Sequence, residues 1–225
     1  MTYCIGIKTN DGLVFASDSR TNAGLDNVNI YSKMMTHDVG DRTVVIVTSG
    51  NLGTSQAVYK SIEKDLNSSS GIMNLNTCND FEQIASYIGS LNIEHSSPQG
   101  INTDNVLLGS TFIVGGQIKG QQHELYLVYP QGNYIRPADS KPYLVIGEVK
   151  YGKPILDRVI KPEVSIGDAS RCAMISMDST LKSDLTVGPP IDFAVHKKNA
   201  EKLVTLECVT VPDNTYSKVC NEWSD

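Results

Sequence analysis

The stretch that decides the fold is MTYCIGIKTNDGLVFASDSR, residues 1–20. Two runs rich in apolar residues, Thr2–Thr9 and Leu13–Ser19, flank the turn sequence Asn10-Asp11-Gly12. An Asp-Gly pair between two such runs is a strong signal for a β-hairpin. The chain is therefore predicted to begin with two antiparallel strands.

The register of this hairpin brings a carboxylate close to the start of the chain. With a short turn, the numbers of facing residues sum to about 21–23, so Thr2 faces Arg20 to within one position. Asp18 then lies within a side chain's reach of Thr2. Because chain termini usually fray, a terminus held in a sheet beside a carboxylate is unusual.

The remaining apolar patterns predict an α+β domain. Thr43–Thr48 is an almost continuous β-branched run, which is typical of a strand buried on both faces. Val58, Ile62 and Leu66 recur at the helical spacing. Further strands are predicted at Thr111–Val114, Leu125–Tyr129, Tyr143–Ile146, Ile191–Val195 and Leu203–Val211. Helices are predicted at Leu52–Leu66, Asp80–Leu91, Pro154–Ile160 and Asp168–Leu181, with Asn79 or Asp80 as N-cap of the second.

The order of these elements favours a layered sandwich over a parallel βαβ fold. Strands, a pair of helices, strands, a second pair and final strands follow one another, with Asn67–Asn79 as a polar loop. Two sheets face to face with helices outside would bury both the helical stripes and the apolar strands. No repeat or linker divides the sequence, so residues 1–225 are predicted to form a single four-layer αββα domain.

Composition excludes several classes of function. The formal net charge of −6 argues against a nucleic-acid or anionic-membrane surface. The amino terminus lacks a secretion signal, and no apolar run approaches the ~20 residues of a membrane span. Five cysteines without a CxxC pair suit a reducing cytoplasm and indicate neither a metal nor another cofactor.

Thr2, Asp18 and Lys33 form the candidate catalytic set. A threonine hydroxyl is a weak nucleophile, but a free amine on the same residue, with a pKa of about 7.7–8.0, can serve as its base. That chemistry requires removal of Met1. Asp18 can orient a cation, and Lys33 is the candidate cation, because an ammonium beside the amine lowers the amine's pKa and polarises the hydroxyl.

Gly50 is the candidate oxyanion donor. Ser49-Gly50-Asn51 separates a buried strand from a predicted helix, and N–H groups at a helix N-terminus stabilise developing negative charge. A glycine that merely permits the turn is an equally good interpretation of this stretch alone.

Taken together, these motifs resemble the proteasome β-subunit family. The shared features are an N-terminal Thr, the Asp18-Ser19-Arg20 stretch, Lys33 and the Thr48–Gly53 stretch. The resemblance is narrower to the Anbu group, bacterial proteasome homologues also called ancestral β-subunits, and it runs nearly end to end. It includes Leu13–Gly24, Gly147–Pro154 and Asp184–Pro190.

The resemblance implies the αββα fold, a threonine-type hydrolase mechanism and a ring-like or spiral homo-oligomer. It assigns Thr2 as nucleophile and base, Asp18 and Lys33 as the activating pair, and the Gly50 N–H as oxyanion donor. Asp184 matches an aspartate that supports the nucleophile. Apolar helical stripes without a second domain to cover them also favour self-association.

The family binds its substrate as an added strand, which implies a peptide site beside Thr2. The predicted side chains are Tyr31, Met35 and Thr48, and the predicted backbone groups belong to Thr21, Asn22 and Gly50. An uncharged residue is expected on the acyl side. The sequence departs from the family at Glu148 and Val187, where proteasome β-subunits place serines that relay protons.

Three hypotheses remain open at this point. The leading one is hydrolysis of peptide bonds in peptides or proteins. A second is an amidase on the same fold acting on a specialised small amide, and a third is a silent subunit that only builds an assembly. An ATP-dependent unfoldase is a further partner that the sequence leaves open.

Overall fold

The computed structural model describes residues 1–22, 28–68, 71–96, 108–200, 202–209, 218–219 and 222. They form two five-stranded sheets and a separate two-stranded ribbon, with a pair of helices on the outer face of each large sheet. This is the predicted α+β sandwich of four layers, helix, sheet, sheet, helix.

The first sheet contains the amino-terminal hairpin. Its strand order is β10-β1-β2-β11-β12. The strands are β1 (Tyr3–Thr9), β2 (Gly12–Asp18), β10 (Tyr143–Gly147), β11 (Ile191–Lys197) and β12 (Val204–Val209). Facing residues of β1 and β2 sum to 21, as in the pair Cys4 and Ser17, which confirms the register predicted from the turn.

The second sheet has the order β5-β6-β7-β8-β9, and all its neighbours are antiparallel. Its strands are β5 (Met34–Val39), β6 (Arg42–Gly50), β7 (Ser110–Ile118), β8 (Glu124–Val128) and β9 (Tyr134–Ile135). The ribbon pairs β3 (Arg20–Asn22) with β4 (Val28–Ile30). The ribbon and β9 contain three residues or fewer per strand, which is too short to show a period in the sequence.

In the described part of the chain, four helices cover the sheets: α1 (Leu52–Leu66), α2 (Phe81–Ser96), α3 (Lys153–Val159) and α4 (Ile166–Ser183). Asn51 caps α1 by accepting a hydrogen bond from the Thr54 N–H at 3.1 Å. Asp80 accepts from the Gln83 N–H at 2.8 Å at the start of α2, which selects Asp80 of the two predicted caps.

The described residues form three apolar cores, one between each pair of adjacent layers. One lies between α1, α2 and the second sheet, one between α3, α4 and the first sheet, and one between the two sheets. The stripes of α1, α2 and α4 are therefore covered by the chain's own sheets. The argument for self-association from uncovered stripes is therefore wrong, because these stripes face inward, and the expectation of a homo-oligomer rests on the family resemblance alone.

The helix boundaries differ from the prediction where tertiary contacts decide them. Helix α1 agrees, whereas α2 continues beyond Leu91 to Ser96. The polar Asn92 is fully buried in this extension, and its side-chain amide donates to the Ser110 and Tyr129 carbonyls at 2.7 and 3.1 Å. Those partners are distant in sequence, so the local pattern could not indicate them.

Strand β7 is also longer than predicted, because the pair Gly115-Gly116 hides it from the apolar pattern. Both glycines still pair with β6 and β8. The last predicted strand ends at Val209 in the structure, and its residues 210–211 lie outside the described residues. Among the described helices, none has the length and apolar character needed to cross a bilayer.

Candidate active site

Four strand ends from the two sheets meet at one edge of the sandwich. Thr2 precedes β1 and Asp18 ends β2 in the first sheet. Lys33 precedes β5 and Gly50 ends β6 in the second sheet. Because the sheets are stacked, the predicted nucleophile, activating pair and oxyanion donor come together although they are up to 48 positions apart in the chain.

The ion pair between Asp18 and Lys33 is almost completely buried. Lys33 Nζ lies 2.7 Å from Asp18 Oδ1, and the two side chains are 6% and 0% exposed, respectively. The same ammonium donates to the Arg20 carbonyl at 2.6 Å. Asp18 also accepts from the Tyr3 N–H at 3.0 Å and from the Gly188 N–H at 3.3 Å.

These contacts set the electrostatics of the site. Burial raises the pKa of the Asp18 carboxyl, while the Lys33 ammonium and the amides of Tyr3 and Gly188 oppose that rise. A buried pair is retained only when further hydrogen bonds satisfy it, and both partners here have them. The ammonium is thus a fixed positive charge at the base of the site.

The backbone fixes Thr2 beside this charge. Its carbonyl accepts from the Glu148 N–H at 2.7 Å, which continues the pairing of β1 with β10. Gly147 has a φ of +90°, and a Cβ at that position would overlap the Thr2 carbonyl oxygen. Only glycine allows β10 to approach Thr2 this closely.

A cavity of about 260 Å³ opens at this edge. Its wall includes Thr2, Lys33 and Gly50, together with the predicted substrate residues Thr21 and Thr48. Met1 also lines the cavity and is 60% exposed. Three of the predicted catalytic residues and two of the predicted substrate residues therefore share this wall with Met1.

Gly50 lies above a network of buried hydroxyls. Its φ of +121° is a conformation that other residues rarely adopt. Below it, the hydroxyls of Thr48 and Ser55 are 2.9 Å apart, and those of Ser55 and Ser110 are also 2.9 Å apart. Ser110 donates in turn to the Asn51 carbonyl at 2.8 Å. Sequence reasoning missed Ser55 and Ser110, and the small polar residues in the first turn of α1 were the available signal.

Asp184 is close enough to the amino terminus for their charges to interact. Burial raises the pKa of its carboxyl. Hydrogen bonds from the Thr186 hydroxyl and N–H, at 2.6 and 2.8 Å, together with the positive charges of the amino terminus and Lys150, lower that pKa overall. Asp184 is therefore a carboxylate within electrostatic range of the start of the chain.

Two predicted substrate residues lie away from the cavity wall. Tyr31 is half-buried near Glu63 of α1, where burial and then that carboxylate raise the pKa of its phenol. Met35 packs against the core under α1 and α2. The side chain of Asn22 lies outside the described residues.

The two positions that depart from the family offer no hydroxyl to the site. Glu148 is 4% exposed, and its carboxylate accepts from the Lys150 N–H at 2.8 Å. Val187 is part of the core between the first sheet and its helices. Any proton relay at this edge must therefore use other groups.

A four-layer sandwich with a threonine, a buried ammonium and a strand-end glycine at one edge defines the class of N-terminal-nucleophile hydrolases. The sequence profile of the proteasome subunit family matches residues 2–196. The chain therefore belongs to the proteasome subunit family.

Solved structures of Anbu proteins are similar to the chain over nearly its full length. Anbu from Yersinia bercovieri shares 34% identity with a TM-score of 0.92, over 99% of this chain and 92% of the other. A mutant of Anbu from Hyphomicrobium sp. strain MC1 shares 38% identity with a TM-score of 0.90, over 100% of this chain and 94% of the other. The helical assembly of the Anbu complex from Pseudomonas aeruginosa shares 37% identity with a TM-score of 0.91, over 99% and 92%. No protein with a curated description matches the chain in sequence.

Proposed function

We propose that the chain is a threonine-type peptidase that hydrolyses peptide bonds through the amino-terminal Thr2 exposed when Met1 is removed. The observation that carries this proposal is the Lys33 ammonium, held between Asp18 and the Arg20 carbonyl in the wall of the cavity that Thr2 also lines. A buried, fixed cation beside a potential amine base is the arrangement that this chemistry needs.

In the proposed reaction, Thr2 Oγ attacks the carbonyl carbon of the scissile peptide and its proton passes to the Thr2 amine. The amine then gives that proton to the leaving nitrogen, and an ester between Thr2 and the acyl group remains. Water, deprotonated by the same amine, hydrolyses the ester and releases the acid. Dividing one difficult step into two easier steps is the gain from covalent catalysis.

The orientation of the N–H groups along strand β6 supports Gly50 as the oxyanion donor. The Thr48 N–H donates to the Lys33 carbonyl at 3.1 Å, on the edge of β6 that faces β5. Alternate residues of a strand direct their N–H groups to the same edge, so the Gly50 N–H is directed to that edge as well. Because β5 begins at Met34, opposite Val47, it provides no partner opposite Gly50. The N–H is therefore available to a developing oxyanion.

We further propose that Thr21, Thr48 and Gly50 bind the substrate as an extended strand. Thr21 belongs to the short strand β3, and its hydroxyl is buried without a hydrogen-bond partner among the described residues. A bound peptide group would remove the free-energy cost of that unpaired hydroxyl. Tyr31 and Met35 lie outside the cavity wall, so the proposed site does not depend on them. An uncharged acyl-side residue remains the expected preference.

Self-association into a ring or spiral of like subunits is part of the proposal. The Anbu complex from Pseudomonas aeruginosa forms a helical assembly. Head-to-tail contacts between identical subunits close into a ring or continue into a helix, depending on the rotation. Light scattering should therefore give a mass several times 24.5 kDa, and a single 24.5 kDa species would contradict self-association.

Peptide hydrolysis tests the proposal directly. A library of short peptides is incubated with the wild type and with Thr2→Ala and Thr2→Ser variants, and the new termini are read by mass spectrometry. The wild type should cleave peptides, Thr2→Ser should retain measurable cleavage because it keeps nucleophile and base, and Thr2→Ala should lose it. Cleavage that survives Thr2→Ala would eliminate the mechanism.

A further inference from the structure

Asp192 is a buried carboxylate that the proposed mechanism does not use. It is 8% exposed and lies on β11, which pairs with β2. Asp192 faces Ser17 in this pairing, and its neighbour Ile191 faces Asp18. Asp192 therefore lies on the strand adjacent to the one that ends at the activating carboxylate.

One oxygen of Asp192 joins the two segments that carry the ion pair. The hydroxyls of Ser19 and Ser32 both donate to Asp192 Oδ2, at 3.1 and 2.7 Å. Ser19 directly follows Asp18, and Ser32 directly precedes Lys33. The two hydrogen bonds thus meet at one atom and reach the residues that adjoin Asp18 and Lys33.

Asp192 adds to backbone contacts that already join the two segments. Strands β3 and β4 pair Arg20 with Ile30, and the Tyr31 N–H donates to the Ser19 carbonyl at 2.8 Å. Ser32 and Lys33 follow these contacts and precede β5, so they lie outside both ladders. The backbone carbonyl of Lys33 accepts from the Tyr59 hydroxyl at 2.9 Å and from the Thr48 N–H at 3.1 Å. Asp192 adds a side-chain restraint on Ser32, the residue directly before Lys33.

We propose that Asp192 is a positioning residue that sets the geometry of the Asp18–Lys33 ion pair by holding Ser19 and Ser32 together. Its kinetic consequence rests on the proposed function, whereas its effect on the geometry of Lys33 does not. A displacement of about 1 Å in a catalytic group can reduce the rate by about a hundredfold, so a restraint of this kind has measurable consequences.

Acylation of Lys33 tests the geometry without requiring activity. The protein is treated briefly with an amine-acylating reagent, sulfo-NHS acetate, and the modified fraction of Lys33 is compared by peptide mass with that of Lys8. In the wild type, Lys33 should react slowly, because its ammonium is buried and bonded to Asp18. In Asp192→Ala the ratio of Lys33 to Lys8 acylation should rise by about tenfold, because the freed segment exposes the ammonium.

Two further variants separate the effect of Asp192 from the loss of any carboxylate that joins two segments. Asp38→Ala is the control, because Asp38 also joins two segments, accepting from the Thr43 hydroxyl at 2.6 Å and the Leu203 N–H at 3.0 Å, but does not adjoin the ion pair. The acylation ratio should not change in that variant. If Asp192→Ala does not fold, Ser32→Ala removes one of the two bonds and should raise the ratio by a few fold.

Kinetics then connect the geometry to the reaction. On a cleavable peptide, Asp192→Ala should lower kcat by about tenfold with KM within about twofold, the result expected when a transition-state interaction is lost. Asp192→Asn keeps an oxygen that can accept from both serines and should restore most of kcat. A wild type that cleaves no peptide would refute the proposed function and leave the acylation test standing. An acylation ratio that is the same in wild type, Asp192→Ala and Ser32→Ala would overturn the positioning role.

Discussion

The two ends of strand β1 have cavities of similar volume and different electrostatics. The cavity beside Thr2 measures about 260 Å³ and the one beside Lys8, at the other end of the strand, about 250 Å³. At the Thr2 end the side chains of Lys33 and Asp18 are 6% and 0% exposed. At the other end Lys8 and Glu124 form a pair at 3.1 Å with side chains 32% and 21% exposed.

This difference shows that cavity size does not locate the candidate site, whereas buried charge does. Exposed ion pairs contribute about 0–1 kcal/mol and are screened by salt. A buried pair fixes charges in a medium of low polarity, where they act strongly on neighbouring groups. The Thr2 end thus has a field that can change the pKa of an amine, and the Lys8 end does not.

The largest expected difference between the two ends is in stability. Lys33→Ala leaves Asp18 buried without its cation and should lower the free energy of unfolding by about 3–5 kcal/mol. Lys8→Ala should lower it by less than about 1 kcal/mol, because Glu124 is partly solvated. Urea unfolding of both variants measures the contrast. Equal losses of unfolding free energy in the two variants would show that the buried and the exposed ion pair do not differ in their contribution to stability.

The next effect concerns the pH dependence of hydrolysis. Lys33→Ala should raise the pKa of the Thr2 amine, because a nearby positive charge disfavours its protonation. Any residual activity should then require a higher pH, whereas Lys8→Ala should keep the wild-type profile. The second-order rate constant kcat/KM of the wild type and both variants is measured from about pH 6 to about pH 10.

Non-additivity provides the control for that experiment. In the proposed mechanism Thr2 and Lys33 act as one unit, so the double variant Thr2→Ala with Lys33→Ala should be little worse than either single variant. An unshifted profile in Lys33→Ala, or losses that multiply in the double variant, would show that Lys33 does not act through the Thr2 amine.

The smallest predicted effect lies at the Lys8 end. Burial lowers the pKa of His123, whose Nε2–H donates to the Thr9 carbonyl at 2.7 Å, and burial also lowers the pKa of His196. The unfolded chain therefore binds protons more readily than the folded one. The stability that depends on these two histidines being neutral is complete above their unfolded pKa of about 6.5. It is lost as the pH falls from there through their lower pKa values in the folded protein.

His123→Gln is the matched variant for this prediction, because glutamine can donate to the Thr9 carbonyl and does not titrate. Thermal unfolding from about pH 8 to about pH 5 should show a smaller loss of Tm for the variant than for the wild type. Parallel curves would show that His123 does not contribute to acid sensitivity.

Much of the candidate site could be predicted from sequence because it rests on local signals. The Asn10-Asp11-Gly12 turn fixed the register that places Asp18 beside Thr2, and Gly50 followed from the strand-to-helix boundary. The sequence around Lys33 contains no motif that marks it as a functional residue. Its candidacy came from its combination with Thr2 and Asp18 and from the family resemblance.

The remaining features depend on contacts between distant segments. Ser19 and Ser32 reach Asp192 across more than 150 positions, and Asn92 is held by the carbonyls of Ser110 in β7 and Tyr129 just after β8. Periodicity describes which face of an element is buried, but not which polar group a buried side chain meets. For this reason the layers were predictable, and the network around the ion pair was not.

The intact mass of the protein after exposure to a small β-lactone that acylates threonine tests directly whether Thr2 is the nucleophile. The proposal predicts a chain that lacks Met1 and has gained one acyl group, which fragmentation locates at Thr2. Heat-denatured wild type and Thr2→Ala should gain none. A folded protein that retains Met1, or that gains the same adduct in Thr2→Ala, would contradict the role of Thr2 as nucleophile.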